Sequence, residues 1–148
     1  MHEIQAGEIE VTFPSQTQFV HMVTMVANNA ATMAGFERSV AGKVAIATDE
    51  AVTNVIRHAY NNKPDKQIKL KITISAESLT LEIFHTGRPL RNESIKLPDM
   101  EQYIAERRKG GLGLLLITKF MDEVDYHVGK ENCCSMKKYR KRDHAGDT

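Results

Sequence analysis

The stretch of sequence that decides the fold is DEAVTNVIRHAY, residues 49–60. It ends a longer run in which apolar side chains recur every three or four residues, at Val40, Val44, Ala47, Ala51 and Val55. This spacing places them on one face of an amphipathic helix, which we expect to end near Ala59, before the turn-forming residues 61–65. The other faces of the helix are left for polar side chains.

Four polar side chains follow this helix at positions i, i+4, i+7 and i+8, namely Glu50, Asn54, Arg57 and His58. At this spacing they lie along one side of the helix and can face one ligand together. An Asn carbonyl oxygen is a suitable ligand for Mg²⁺, and a carboxylate can orient or deprotonate a nucleophile. Taken alone, such a stripe is more typical of a solvated helix face, so its interpretation depends on the other motifs.

A second motif, HTGRP at residues 85–89, ends a predicted strand. His85 has the same parity as Leu79, Leu81 and Ile83, so we expect its side chain to point toward the helices. Gly87 would allow the backbone to approach a flat ligand closely. On its own, the motif favours a plain Gly-Pro turn.

A third motif consists of Gly110, Gly111, Leu112 and Gly113, directly before an apolar helix. Free backbone N–H groups and the positive end of a helix dipole can hold phosphate oxygens at such a position. Lys109 and the two arginines before it would add positive charge. By itself, a glycine-rich helix start can equally serve close packing of a helix on a sheet.

The segment between the second and third motifs, residues 86–109, is polar and irregular and contains Pro89 and Pro98. A loop of this length inside a small domain is usually functional or mobile. We therefore expect a lid loop here, and a basic and polar tail at residues 141–148.

Alternating apolar and polar residues predict five strands, at residues 9–13, 68–74, 79–83, 124–128 and 133–139. Two helices are predicted before the first hairpin, and a third follows the glycines, from Leu114 to about Met121. This order predicts an α+β fold with a single domain over residues 1–148. We expect a two-layer α/β sandwich, in which about three helices cover one face of a mixed, mostly antiparallel sheet.

The first of these helices, which we expect to end at Gly35, has a start signal and an unusual content of methionine. Ser15 with Gln18 three residues later predicts a capping box. Met22, Met25 and Met33 recur along the helix. Methionines at helical spacing are more typical of a core, and an interface is the alternative.

Composition limits the functional classes. The net charge of +1 over 148 residues gives no overall field that would attract nucleic acid or an anionic membrane. No continuous apolar stretch approaches the roughly 18 residues of a membrane span, so we expect a cytoplasmic protein. The adjacent Cys133 and Cys134 are expected to be small packing residues without a disulfide between them, and the histidine spacings do not predict a metal site.

Together, the three motifs resemble the anti-sigma-factor serine kinases of the superfamily of gyrase, heat-shock chaperone and histidine-kinase ATPase domains. Residues 49–60 are similar to the N box of that family, and Gly87 and Pro89 match its first glycine box. Residues 110–126 are similar to its second glycine box and the strand that follows. The resemblance covers residues 8–140, includes the order of the elements, and implies a Bergerat-type ATP-binding fold.

The resemblance also implies a function. The protein would be an ATP-binding anti-sigma factor and protein-serine kinase that phosphorylates an antagonist protein, with Glu50 as the base and Asn54 as the Mg²⁺ ligand. Its partners would be a sigma factor, the antagonist protein and, as in relatives, a second copy of the chain. The implied nucleotide-binding residues are Asn54, Arg57, His58, His85, Gly87, Lys109, Gly110, Gly111, Leu112 and Gly113.

Two alternatives stay open. One is a non-catalytic switch module of the same fold, which binds its partner but binds nucleotide weakly. The other is a detached ATPase domain that serves a different phosphotransfer system.

The sequence departs from the family at His85, where relatives have an Asp that accepts a hydrogen bond from the adenine amino group. A neutral imidazole accepts through one nitrogen, but its other nitrogen is a donor, so it discriminates adenine less well. Loss of a charge-assisted hydrogen bond costs about 1.5–3 kcal/mol. We therefore expect weaker ATP binding than is typical of the family.

Overall fold

The computed structural model describes residues 6–90 and 112–141, with the side chains of residues 112–114 left out, and every structural statement refers to these parts of the chain. They form five strands: β1 (Gly7–Pro14), β2 (Gln67–Ile74), β3 (Ser78–His85), β4 (Glu123–His127) and β5 (Asn132–Tyr139). The α-helices are α1 (Val20–Met33), α2 (Arg38–Asn54) and α3 (Leu112–Phe120). A 3₁₀ turn at Thr17–Phe19 leads into α1, and a π-helical turn at Val55–Ala59 extends α2.

The strands form one sheet in the order β1-β2-β3-β5-β4, and all four neighbouring pairs are antiparallel. The register aligns apolar residues across the sheet, as in the pairs Leu70–Ile83 and Leu81–Met136. These four side chains are fully buried, whereas Lys69, Lys71, Thr80 and Glu82 on the opposite face are only partly buried. The sheet therefore has one dry and one wet face, which explains the alternation in the sequence.

The helices cover the dry face. Helix α2 contacts both α1 and α3, and its small residues Ala41, Ala47 and Ala51 are almost completely buried. Small side chains allow the helices to approach each other and the sheet closely, which completes a single hydrophobic core. The predicted two-layer α+β fold is confirmed, with a sheet that is antiparallel throughout the described strands. Among the described residues, no helix is both long and apolar enough to cross a membrane.

The first helix differs from the prediction in two respects. Ser15 does not cap it, because the Ser15 hydroxyl donates to the carbonyl oxygen of Lys63 at 2.6 Å and accepts from the backbone N–H of Lys66 at 3.1 Å. The N-cap of the 3₁₀ turn is Gln16 and that of α1 is Phe19, and neither makes a capping side-chain hydrogen bond. The prediction that the methionines lie in the core is also wrong, since Met22, Met25 and Met33 are 64%, 53% and 73% exposed.

A tight connection joins the end of α2 to the start of β2. The backbone N–H of Tyr60 donates to the carbonyl oxygen of Val55, the five-residue spacing of a π-helix. Asn61 and Asn62 then adopt positive φ angles of 51° and 62°, which Asn tolerates better than most residues. The buried Tyr60 hydroxyl donates to the carbonyl oxygen of Gln67 at 2.7 Å and accepts the N–H of Thr86 at 2.8 Å. Tyr60 thus holds the helix end against both β2 and the end of β3.

Gly87 lies in close contact with the end of the helix layer. A Cβ atom on Gly87 would lie 2.5 Å from the carbonyl oxygen of Ala59 and 2.8 Å from a ring carbon of Tyr60. The next residue, Arg88, donates its backbone N–H to that same carbonyl at 2.8 Å. Glycine is therefore required here by the proximity of the helix end.

We expect Gly87→Ala to lower the free energy of unfolding by about 1–3 kcal/mol, because the added methyl group forces backbone apart from backbone. Gly42→Ala is the matched control, since a Cβ atom at Gly42 in α2 meets nothing within 4 Å. There the substitution should stabilise the protein by roughly 0.5–1 kcal/mol. Urea unfolding of both variants checks the pair, and equal stabilities would contradict the assigned contact.

Candidate functional site

Asn54, the last residue of α2, has a buried amide that is not fully paired. The residue is only 7% exposed, and its Nδ2 atom has no hydrogen-bond partner among the described residues. Buried side-chain amides are usually satisfied, so an open donor of this kind points to a ligand or a water at this position. The same side chain carries a carbonyl oxygen that can serve as a metal ligand.

Glu50 lies one turn before Asn54 on α2 and is half-buried. Burial raises the pKa of its carboxyl group, and the neighbouring Asp49 raises it further, whereas Arg57 lowers it. A carboxylate whose pKa is raised is a stronger base once it is ionised. Arg57 limits this effect and keeps more of the carboxylate in the ionised form.

The structure shows only part of the polar stripe that ideal helical spacing predicts. Glu50 and Arg57 lie close enough to interact electrostatically. Arg57 and His58 are both exposed and belong to the π-helical turn, which changes the angular spacing after Asn54. No described contact joins His58 to the other three residues of the stripe.

His85 ends β3 and points into the core, as its parity predicts, and is only 2% exposed. Its Nδ1 atom accepts the backbone N–H of Gly87 at 3.2 Å. Tyr60 meets the imidazole edge-on, with 5.8 Å between the ring centroids and an interplanar angle of 78°. Burial lowers the pKa of His85, so the ring is neutral near pH 7.

Gly87 is held from two sides beside this imidazole. The end of α2 lies on one side, and on the other the Asn132 side chain donates from Nδ2 to the Gly87 carbonyl oxygen at 2.9 Å. Asn132 is paired with His85 across β3 and β5, and its Oδ1 accepts the N–H of Gly129 at 3.3 Å. The backbone after His85 is therefore fixed.

The glycine-rich motif lies mostly outside the described residues. Lys109, Gly110 and Gly111 are not described, and the same is true of most of the predicted lid, residues 91–109, and of the tail from residue 142. Leu112 and Gly113 open α3, so the glycines do precede a helix. Phosphate binding at this helix start stays a prediction.

Two residues with a role in the site were not singled out from the sequence. Tyr60 lies within the stretch 49–60, and the signal that could have found it is that a buried Tyr hydroxyl needs hydrogen-bond partners. Asn132 carries no periodic signal, because its contact with Gly87 depends on the register of β5 against β3.

The residues present fit a nucleotide with Mg²⁺. Asn54 offers an unpaired buried donor and a carbonyl oxygen, Glu50 adds a carboxylate one turn away, and His85 lies at the end of the adjoining strand. Helix α2 and β3 contact each other, and the Ala59–Arg88 hydrogen bond joins their ends. The elements that carry these three side chains are therefore in direct contact.

Comparison with known proteins identifies the family. The profile of the histidine kinase-like ATPase domain matches residues 13–138. Proteins named serine-protein kinase RsbW are similar over most of their length. The one from Staphylococcus aureus is 30% identical over 140 residues, which is 91% of this chain and 88% of the relative. The one from Listeria monocytogenes is 27% identical over 136 residues, which is 89% and 87% of the two chains.

A solved structure supports the fold. A chain in the crystal structure of the SiaB–SiaC complex from Pseudomonas aeruginosa superposes with a TM-score of 0.59 at 16% identity, covering 89% of this chain and 88% of that one. The matched profile spans more than half of the sequence, and the family implies the use of ATP. The chain thus belongs to the histidine kinase-like ATPase family, in which it is related to the serine-protein kinases of the RsbW type.

Proposed function

We propose that this protein is an ATP-dependent protein-serine kinase that also acts as an anti-sigma factor. The observation that carries the proposal is the pairing on α2 of a half-buried Glu50, whose pKa is raised, with a buried Asn54 whose amide has an open donor. A base next to a metal-binding amide is the arrangement needed for phosphoryl transfer to a hydroxyl group. The serine-protein kinase relatives support the same activity.

Each residue has a distinct task in this scheme. Glu50 accepts the proton of the attacking hydroxyl as the new oxygen–phosphorus bond forms and the bond to the leaving diphosphate breaks. Asn54 would hold Mg²⁺ through its carbonyl oxygen, and its free N–H group would orient the phosphates. A metal ion held there would supply neutralisation of phosphate charge. Arg57 and His58, on the exposed π-helical turn, contribute to the rim of the site. Phosphate binding by Lys109 and the glycines of residues 110–113 is part of the same proposal.

The proposed partners are a sigma factor and an antagonist protein whose hydroxyl group receives the phosphate, in a cytoplasmic setting. The non-catalytic switch module is the second candidate, and the buried neutral His85 favours it, because this residue replaces the carboxylate that would pair with adenine.

We also propose that two copies of the chain associate through α1. The exposed methionines Met22, Met25 and Met33 lie on this helix, which contains no Asp, Glu, Lys or Arg. A second copy can cover the helix without burying a full charge, and a two-fold interface places the same face on both sides. Methionine side chains adapt to each other across such a contact.

Substitution of Glu50 and Asn54 should separate the two roles. Glu50→Gln should abolish phosphotransfer and leave nucleotide affinity within a few fold, because a base acts in the chemical step. Asn54→Ala should instead weaken Mg²⁺-dependent nucleotide binding, because a ground-state contact is lost. Labelled ATP with the antagonist protein measures the first effect, and calorimetry with and without Mg²⁺ the second. Unchanged turnover in Glu50→Gln would exclude Glu50 as the base.

The pH profile tests the link between Arg57 and Glu50. A base must be ionised, so turnover should rise as pH increases through the raised pKa of Glu50. Arg57 lowers this pKa, so Arg57→Gln should move the acid limb of kcat to higher pH. Saturating nucleotide separates this effect from any change in binding. Arg57→Lys keeps the charge and should leave the limb close to its original position, and an unshifted limb in Arg57→Gln would refute the coupling.

The dimer is tested by charging the methionine face. Met22→Glu combined with Met33→Glu should give a monomer by sedimentation equilibrium, because two like charges per copy would meet in the interface. Thr12→Glu on the wet face of β1 combined with Val128→Glu after β4 adds the same charge at exposed positions away from α1 and serves as the control. A wild-type protein that is monomeric at high concentration would exclude the dimer.

A further inference from the structure

We propose that the wet face of the sheet is a docking surface for a basic helix of a partner protein, which carries a Lys or Arg in each of three successive heptads. The wet face points away from α1, α2 and α3, which pack on the dry face, so no described helix covers it. The inference does not depend on the proposed kinase activity, because Glu50 and Asn54 lie on α2, on the other side of the sheet.

The first observation is the charge of the wet face. Its strands and the residue before β5 carry more carboxylates than lysines, with a net charge of −3, although the whole chain has a net charge of +1. The carboxylates are those of Glu8, Glu10, Glu82, Glu123, Asp125 and Glu131, and the lysines are Lys69, Lys71 and Lys137. Such a surface repels nucleic acid and attracts a basic partner.

The second observation is that half of these carboxylates are free. Each lysine forms an ion pair with one carboxylate, and the pairs are Lys69–Glu131 at 3.8 Å, Lys71–Glu8 at 3.6 Å and Lys137–Glu123 at 3.9 Å. Glu10, Glu82 and Asp125 have neither an ion pair nor a hydrogen bond from a side chain in the described parts of the chain. Glu82 is also partly buried, so a cationic partner would stabilise its charge.

The charge of Glu82 acts on its surroundings. Cys133 lies on the wet face, one strand away from Glu82, in register with Phe84. The pKa of the Cys133 thiol is raised to about 11, first by burial and then by the negative charges of Glu82 and Glu131. The negative potential is therefore felt at the centre of the sheet and not only at its edges.

The three free carboxylates lie in one row across the sheet. Lys71 pairs in register with Glu10 on one side and Glu82 on the other. Ser135 pairs with Glu82 and with Asp125. Neighbouring strands are about 4.8 Å apart, so the free carboxylates follow one another at intervals of about 10 Å. The row crosses all five strands and spans about 19 Å.

This interval matches a helix. A helix rises about 1.5 Å per residue, so side chains one heptad apart lie on the same face at a distance of about 10.5 Å. Residues on one face of an extended strand recur at about 6.6 Å or 13 Å, and neither distance fits. A helix that crosses the strands can therefore place one cation on each of Glu10, Glu82 and Asp125.

Phe84 provides an apolar contact beside this row. It lies on the wet face two residues after Glu82 and is partly exposed, and the Lys69 Nζ atom is 4.7 Å from its ring centroid. A groove with a volume of about 290 Å³ adjoins the ring, and Thr12, Gln67, Lys69 and Glu131 are among its lining residues. The groove can take an apolar side chain of the docked helix, which would fix the register of the three charge contacts.

The experiment uses two labelled synthetic peptides and the full chain. One Ala-rich peptide has three heptads with one lysine at the same position of each heptad. The second has the same composition, but its three lysines are adjacent. Fluorescence anisotropy at low ionic strength should show that wild-type protein binds the first peptide about tenfold more tightly than the second. Added salt should weaken this binding, because the contacts are between charges.

Matched variants test the location. Glu10→Gln, Glu82→Gln and Asp125→Asn in one protein should weaken binding of the first peptide by at least about tenfold. The control combines Glu37→Gln, Asp65→Asn and Glu77→Gln, which change the net charge equally at exposed positions outside the strands, and it should bind like wild type. If the first triple variant does not fold, Glu10→Gln with Asp125→Asn, both at exposed positions of the edge strands, should still weaken binding.

Three outcomes would overturn the inference. Equal affinity of the two triple variants would show a general charge attraction without a defined surface. Equal affinity of wild type for the two peptides would exclude the heptad spacing, and absence of binding would exclude the docking surface. Sedimentation equilibrium of the chain alone provides a further check. A lower association state in the wet-face variant than in wild type would identify a second copy as the occupant, in place of a partner helix.

Discussion

The structure depends on the contact between the end of α2 and the end of β3. Apolar packing between the helices and the sheet is strong but non-directional, so it does not by itself fix how far one layer slides over the other. Three directional bonds do so here. Arg88 donates to the Ala59 carbonyl, and the Tyr60 hydroxyl joins the Gln67 carbonyl to the Thr86 N–H. Glycine is the residue type that fits at position 87, because a Cβ atom there would lie only 2.5 Å from the carbonyl oxygen of Ala59.

The layers of the fold follow directly from the sequence, because the strands alternate between a dry and a wet face. Shifting β3 by one residue would place Leu81 and Ile83 in water, so the pattern determines the register as well as the strands. Ser15 and Met22 show where such reasoning stops. The partners of Ser15 lie 48 and 51 residues away, and the exposure of Met22 reflects which surfaces of α1 the rest of the chain leaves uncovered. The local sequence pattern predicts neither the partners of Ser15 nor the exposure of Met22.

The positions of some residues of the candidate site could also be predicted from the sequence. Parity placed His85 in the interior, and helical spacing put Glu50 and Asn54 one turn apart. The relation of His58 to these residues was not predictable, because the π-helical turn interrupts the spacing from which it was inferred. The role of Asn132 could not be predicted for another reason, because its side chain contacts Gly87 only when β5 is paired with β3.

Burial shifts the pKa values of Glu50 and His85 in opposite directions. It raises the pKa of Glu50 and lowers that of His85, and in both cases the neutral form gains. The consequences differ, because the ionised Glu50 is a stronger base whose pKa Arg57 lowers, whereas the neutral His85 accepts the N–H of Gly87 through Nδ1. The same loss of water therefore has opposite effects on the two pKa values, because the neutral form of Glu50 is the protonated one and the neutral form of His85 is the deprotonated one.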